Sequence, residues 1–277
     1  MPVVCNPPPF GPLAQTFRPI RSGDLEGPRV FTGRPEGGAW NLSRDLFRRD
    51  EERFDELLRQ SVEWEAAGRD LQAATLLTAY TWDLATIGMW AFVAGQRVPD
   101  LSPDNVWING ELAAPARVAL DQGRFWCHAS DPDADDPLAQ VVATPEDLIT
   151  VLRGQLEDHV GALIGSLRAR RPRLGERAMW AIAADCVVDA VIAQIPDGPS
   201  ARITELITPF VRAETSKFAG QTWVLEAYGP RGFACWTRRH GCCLSFHLPG
   251  DDMMCTQCPH RPLDERLTRL RRSLELP

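Results

Sequence analysis

Residues 222–262 read TWVLEAYGPRGFACWTRRHGCCLSFHLPGDDMMCTQCPHRP and differ in pattern from the chain before them. The first half alternates and is rich in aromatic and β-branched residues in TWVLEAY and GFACWTRR, which predicts two strands joined by GPR. The second half, residues 241–262, contains four cysteines and two histidines. A small β element therefore leads directly into a segment crowded with possible metal ligands.

Helical periodicity dominates the chain before residue 222. Apolar stripes at spacings of three and four predict helices over residues 43–67, 73–94, 144–171, 175–195 and 199–218. Residues 1–42 are rich in Pro and Gly and predict irregular chain with a strand or two, and residues 263–276 predict a short basic helix. The sequence thus predicts an α+β fold, with a mainly helical body and a small antiparallel β element.

The composition excludes several classes of partner. A formal net charge of -7 gives no bulk attraction to nucleic acid or anionic lipid. The first residues, MPVVCNPPPFGPL, lack a positively charged stretch followed by an apolar run, so no secretory signal is expected and the cytoplasm is the predicted location. The 277 residues suffice for a substantial core without help from a metal.

Four polar residues in the predicted helices are expected to be structural. Residues 73–94 are long enough to span a membrane, but Asp83 lies at their centre, so we expect a buried core helix in which Asp83 is paired. His159 lies on an apolar stripe and is expected to be a core histidine. Asp185 and Asp189 lie one turn apart, and we expect them on a water-exposed helix edge rather than facing a cavity.

The cysteine spacing indicates a metal site. Cys255 and Cys258 have the two-residue gap that lets both thiolates of a tight turn reach one site. Cys242 and Cys243 are adjacent, and neighbouring side chains of a strand point to opposite faces. Both could therefore serve one site only if the backbone turns, which Gly241 would permit.

These residues are compatible in type with several kinds of site. Cytoplasmic thiols stay reduced, which disfavours disulfides. A Rieske centre needs two histidine ligands, but four cysteines already complete a set. Adjacent ligands suit structural zinc poorly, yet a zinc site remains open. Its ligands would be one of the adjacent cysteines, Cys255, Cys258 and either His247 or His260.

Two adjacent cysteines, a gap, and Cys-x-x-Cys followed by proline resemble the FhuF-like ferric siderophore reductases. CCLSFHLP matches the aromatic residue and Leu-Pro that follow the pair in this family, and CTQCP matches its closing turn. The specific motif covers residues 238–262, and its eleven-residue gap between the cysteine pairs is one residue longer than usual. The resemblance implies a 2Fe-2S cluster as cofactor, bound by Cys242, Cys243, Cys255 and Cys258.

The resemblance also implies one-electron reduction of siderophore-bound Fe(III) to Fe(II), with hydroxamate siderophores favoured. Such oxygen ligands hold ferric iron more strongly than ferrous iron, so one electron loosens the complex. The sequence has no dinucleotide glycine motif, so the electron is expected from a ferredoxin or a flavin- or NAD(P)H-dependent reductase. The alternatives are a non-enzymatic iron–sulfur electron carrier and a zinc-stabilised binding protein.

This interpretation assigns a mainly helical, substrate-binding body to residues 1–220 and the C-terminal iron–sulfur segment to residues 221–277. Cations beside the cysteines could stabilise a reduced cluster or contact the siderophore or donor. These candidates are Arg238, Arg239, His240, His260 and Arg261.

Two further expectations concern neighbouring residues. The final helix carries Arg266, Arg269 and Arg272, which could dock an acidic electron donor. Cys235 precedes the adjacent pair and could substitute as a ligand, but we expect it to be a buried free thiol.

Overall fold

A computed structural model describes residues 10–18, 30–37, 39–48, 50–63, 66–110, 118–195, 199–229, 232–250 and 253–275. Over these residues the fold is α+β, which confirms the predicted class. The chain forms two compact units: Met1–Phe54 with Thr86–Ala162, and Asp55–Ala85 with Leu163–Pro277. Within the described ranges, no helix is both long and apolar enough to cross a lipid bilayer.

The helices follow the predicted periodicity with three differences, of which the first is that the helix predicted over residues 199–218 ends at Val211. They are α1 Gly11–Thr16, α2 Ser43–Arg48, α3 Glu51–Gln60, α4 Arg69–Gly95, α5 Pro145–Ala169, α6 Glu176–Gln194, α7 Ser200–Val211 and α8 Leu263–Ser273. The single helix predicted over residues 43–67 is instead α2 and α3, because the Asp50 carboxylate accepts the Arg53 backbone N–H at 3.0 Å and begins a new helix. Helix α1 was not predicted.

The strands are short except in the C-terminal hairpin. They are β1 Val30–Thr32, β2 Trp40–Leu42, β3 Arg97–Pro99, β4 Val106–Asn109, β5 Val118–Leu120, β6 Phe125–His128, β7 Ala139–Val142, β8 Trp223–Gly229 and β9 Gly232–Arg238. The predicted strand NVWI is confirmed as β4, and the predicted C-terminal strands pair antiparallel as β8 and β9. Within their GPR connection, residues 230–231 lie outside the described part of the chain.

The first unit contains two mixed sheets. One has the strand order β1-β5-β4-β2, with β1 parallel to β5, and the other has the order β3-β6-β7, with β6 parallel to β7. His159 is fully buried here and donates from Nδ1 to the Leu101 carbonyl, which confirms it as a core histidine. Burial lowers its pKa to about 4, against the effects of that hydrogen bond and of Asp100.

The second unit surrounds the C-terminal hairpin with helices. Helix α6 packs on α7 and β9, and α8 packs on β8. Leu225 and Ala227 of the hairpin form a buried cluster with Leu270 of α8. The unit therefore combines residues on both sides of position 220, and the division of roles between residues 1–220 and 221–277 stays a prediction.

Candidate iron–sulfur centre

A buried carboxylate on α6 holds the backbone that leads into the adjacent cysteines. Asp185 accepts hydrogen bonds from the Thr222 hydroxyl at 2.6 Å and from the backbone N–H groups of His240 and Gly241 at 3.1 and 2.8 Å. Burial raises its pKa to about 7, although these donors favour the carboxylate. The expected water-exposed edge is therefore wrong for Asp185, because three donors satisfy this carboxylate in the interior.

Asp189, one turn later, forms an ion pair at the end of β9. Its Oδ2 lies 2.7 Å from Arg239 Nη2, and its Oδ1 accepts a hydrogen bond from the Thr237 hydroxyl. Burial disfavours the charged form of Arg239, but the attraction and hydrogen bond of Asp189 outweigh it and raise the pKa of Arg239. Asp189 also lines a cavity, so the expected water-exposed edge is wrong here too.

A residue in the left-handed conformation directly follows the adjacent cysteines. Leu244 has φ 60° and ψ 10°, a left-handed conformation that costs a non-glycine residue about 1–2 kcal/mol. Gly241 serves close packing instead: a Cβ there would lie 2.4 Å from the backbone nitrogen of Ile182 on α6. Gly241 is therefore required by this close approach, and the turn that it was expected to permit at the two cysteines stays a prediction.

The four cysteines of the segment form two thiol pairs. Cys243 is in hydrogen-bond contact with Cys255, and Cys242 with Cys258. The hydrogen bond from Cys255, helped by Ser245, lowers the pKa of Cys243, and the same contact raises the pKa of Cys255. Each pair therefore combines one adjacent cysteine with one cysteine of CTQC.

Arg261 supports the CTQC loop from inside. Its side chain is only 7% exposed, and it donates to the carbonyls of Cys255 at 3.2 Å and Met254 at 3.0 Å. Its Nη1 lies 2.6 Å from the Glu265 carboxylate. The predicted contact of Arg261 with siderophore or donor is replaced by a structural one, because its guanidinium is enclosed by its own loop.

Arg266 links the loop that carries Cys255 and Cys258 to the end of β9, which leads into Cys242 and Cys243. It is buried and donates to the carbonyls of Arg261 and Arg239 at 3.0 and 3.2 Å. The prediction that Arg266 docks a donor is therefore wrong. Arg269 is paired within its own helix, whereas Arg272 is exposed.

The remaining predicted contact residues lie at the surface. Arg238, His240 and His260 are exposed. The rings of His247 and His260 pack against Phe246, with centroid distances of 4.2 and 5.4 Å. Among the described residues, no three His, Cys, Asp or Glu side chains converge as a single metal ion would require.

Two other cysteines nearby are buried thiols. Cys235 lies on β9 opposite Glu226, and burial raises its pKa to about 11. Cys186 lies on α6 and donates to the Thr78 carbonyl at 3.5 Å. Cys235 is thus the buried free thiol that the sequence predicted.

A cavity of about 620 Å³ in the second unit reaches the cysteine segment. Its walls include Thr78 and Trp82 of α4, Cys186 and Asp189 of α6, and Arg239 and Cys243. Sequence reasoning placed no pocket here. The available signal was the spacing of Asp185 and Asp189, which puts two carboxylates on one side of an otherwise apolar helix.

Comparison with known families supports the assignment of this segment. Residues 239–260 match the family model described as the FhuF 2Fe-2S C-terminal domain. No curated protein matches the chain significantly. The match confirms the resemblance over the segment that contains all four paired cysteines, and it identifies a 2Fe-2S cluster as the cofactor.

The residues present fit such a cluster. A 2Fe-2S cluster takes four cysteines, two on each iron, and the thiols already lie in two pairs. The buried Nε of Arg239 has no hydrogen-bond partner within the described chain. The positive charge of Arg239 favours the thiolate forms of both Cys243 and Cys255, as ligation of a metal cluster requires.

Proposed function

We propose that the protein is a cytoplasmic ferric siderophore reductase in which Cys242, Cys243, Cys255 and Cys258 hold the 2Fe-2S cluster. The observation that carries this proposal is the two-by-two pairing of these thiols within residues 239–260, which match the family model. The cysteines of the described residues are all free thiols, which suits a reducing compartment.

The reaction moves one electron and breaks no bond within the chelator. A 2Fe-2S cluster held by Cys242, Cys243, Cys255 and Cys258 would supply one-electron chemistry between the siderophore-bound iron and an external donor, which is a ferredoxin or a flavin- or NAD(P)H-dependent reductase. Siderophore-bound Fe(III) is reduced to Fe(II), and the external donor is oxidised by one electron. Hydroxamate oxygens bind Fe(II) weakly, so the iron is released.

The residues of the chain hold and tune the site. Four thiolates would carry negative charge, and the positive charge of Arg239 favours the thiolate forms of Cys243 and Cys255. Arg238, His240 and His260 are exposed beside the ligands and are proposed to contact the siderophore or the donor.

The ligand assignment is tested by anaerobic purification and substitution. We expect a brown protein with equal amounts of iron and acid-labile sulfide, and we expect Cys242→Ser and Cys258→Ser each to abolish the visible absorption. Cys235→Ser is the matched control and should retain the cluster, because this thiol faces Glu226 on the hairpin. A colourless, zinc-loaded wild-type protein would contradict the proposal.

The reductase activity is tested separately from cluster binding. Chemically reduced protein is mixed anaerobically with ferric trihydroxamate and a ferrous chelator that absorbs visible light. We expect one ferrous ion per reduced cluster, with reoxidation of the cluster on the same time course. If no ferric siderophore reoxidises a fully loaded cluster, the protein is an electron carrier instead.

A further inference from the structure

A second, smaller cavity in the same unit lies against α6 and has a volume of about 170 Å³. Its walls come from α6, from the segment that joins α7 to β8, and from the residue that precedes Gly241. The lining residues that matter for its chemistry are Arg177, Trp180, Lys217, Phe218, Thr222 and His240. It shares no lining residue with the cavity beside Cys243, so the two are separate candidates for binding sites.

Contacts within the fold hold the walls of this second cavity in place. The Thr222 hydroxyl donates to Asp185 at 2.6 Å, and the same carboxylate accepts the His240 backbone N–H at 3.1 Å. The rings of Trp180 and Phe218 pack edge to face with their centroids 5.5 Å apart. Asp185 itself does not line the cavity. The cavity is therefore formed before any ligand enters, as is usual for small-molecule sites.

The charged and titratable side chains that line the second cavity are all basic. They are Arg177, Lys217 and His240, and no aspartate or glutamate of the described chain is among the lining residues. Lys217 is the only lysine of a chain whose formal net charge is -7. Glu176, next to Arg177, forms an ion pair with Arg168 at 2.7 Å. This concentration of basic residues in one small cavity favours an anionic ligand.

The size and chemistry of the second cavity suit a compact phosphate. A guanidinium presents N–H donors in a planar fork that matches phosphate oxygens, and an ammonium adds a compact positive charge. The volume of about 170 Å³ is below the range of about 300–1,000 Å³ that is typical of sites for larger ligands. Trp180 and Phe218 add apolar surface, against which a short organic group could pack.

We propose that the second cavity is a phosphate site, which binds inorganic phosphate or the phosphate group of a small ester, with Arg177 and Lys217 as its cationic contacts. This binding activity is additional to the proposed reductase and does not depend on it. Two cations attract a dianion more strongly than a monoanion, because the attraction scales with the charge. His240 lies two residues before Cys242, so a bound phosphate would adjoin the chain that leads into the adjacent cysteines.

Binding is measured by calorimetric titration of the holoprotein with inorganic phosphate, at low ionic strength and in a buffer without phosphate. We expect one site per chain with a Kd below about 1 mM, and we expect Arg177→Gln and Lys217→Gln each to weaken binding by about tenfold or more. Both positions are exposed, and circular dichroism and cluster absorption establish that the variants are folded and loaded.

The matched control is Arg271→Gln, at an exposed arginine of α8 that does not line the second cavity. It should bind phosphate as the wild type does. The site would be overturned by the absence of saturable binding, by an affinity that Arg177→Gln and Lys217→Gln leave unchanged, or by an equal loss in Arg271→Gln.

Two further titrants test the chemistry of the ligand. Acetate has a single negative charge and should bind at least about tenfold more weakly than phosphate, and equal affinities would overturn the preference for phosphate. Glycerol 3-phosphate distinguishes the two sources of the phosphate group. Binding tighter than that of inorganic phosphate would support a small ester as the ligand, and weaker binding would support the free anion.

The single lysine allows an independent test of the location. An amine-reactive acetyl ester modifies Lys217 without competition from another lysine, and peptide mass spectrometry measures the rate. We expect saturating phosphate to slow this acetylation severalfold in the wild type, relative to chloride at the same ionic strength. The same phosphate concentration should protect Lys217 less in Arg177→Gln. An acetylation rate that phosphate leaves unchanged in the wild type would show that phosphate does not bind in this cavity.

Discussion

Asp185 is the single residue on which the path into the adjacent cysteines depends most. Its two oxygens satisfy the backbone N–H groups of His240 and Gly241 and the hydroxyl of Thr222. All four residues belong to the second unit, and Asp185 is only 4% exposed. A carboxylate is needed because both oxygens accept hydrogen bonds.

Asp185→Asn should destabilise the cysteine segment. An amide has one acceptor oxygen, so at least one buried donor loses its partner, at a cost of about 1–3 kcal/mol. We expect lower iron and sulfide content and a lower denaturant midpoint of the apoprotein. Asp158→Asn, at an exposed position on α5, is the control and should change neither measurement. Full cluster content in Asp185→Asn would show that the segment does not need this acceptor.

At the scale of elements, α6 and the cysteine segment pack so closely at Gly241 that no side chain fits between them. A Cβ on Gly241 would lie 2.4 Å from the nitrogen and 2.6 Å from the Cα of Ile182. Backbone atoms in a helix cannot move aside as a flexible side chain can. The two elements would have to separate to admit any side chain at position 241.

Gly241→Ala should therefore destabilise the protein by more than the addition of a single methyl group usually does. We expect destabilisation by about 3 kcal/mol and loss of most of the cluster, measured by denaturant unfolding and iron content. Gly165→Ala is the matched control, because nothing lies within 4 Å of that position in α5. It should stabilise the protein by up to about 1 kcal/mol, as alanine does in a helix. Equal effects of the two substitutions would contradict the packing argument.

At the scale of the whole molecule, buried His159 makes stability depend on pH. Its pKa falls from 6.5 to about 4 in the folded first unit, mainly because burial disfavours the charged ring. Between these values the unfolded chain binds more protons than the folded chain, so stability rises with pH across this interval. The free energy of unfolding therefore decreases as the pH falls from about 6.5 towards 4.

Acidification should therefore destabilise the wild-type protein more than it destabilises the His159→Gln variant. Glutamine stays neutral and can still donate to the Leu101 carbonyl, so up to about 3 kcal/mol of pH dependence should disappear. The measurement is the denaturant midpoint of the apoprotein at several pH values between 4 and 7. His128→Gln replaces a histidine that is not fully buried and should keep the wild-type dependence. The same acid sensitivity in His159→Gln would exclude His159 as its source.

Long periodic segments made the helices and the C-terminal hairpin predictable. Helices α4, α5 and α6 exceed four turns, and the paired strands β8 and β9 have seven residues each. The mixed sheets of the first unit were not predictable in the same way. Their strands have three or four residues, too few for alternation to distinguish them from loops.

Within the candidate site, the chain by itself determined the chemistry of the ligands. The adjacent Cys242 and Cys243, with CTQC after them, indicate an iron–sulfur segment, because ligand type and local spacing are properties of consecutive residues.

Tertiary structure decided which thiols pair and which residues surround them. Asp185 and Asp189 were expected to face water, but the end of β9 and the following loop pack on α6, where they bury Asp185 and leave the Asp189 side chain only 18% exposed. These contacts join positions about fifty residues apart and form only when α6 and β9 pack together. No local sequence pattern predicts them. For the same reason, the cavity beside Cys243 was visible only in the folded chain.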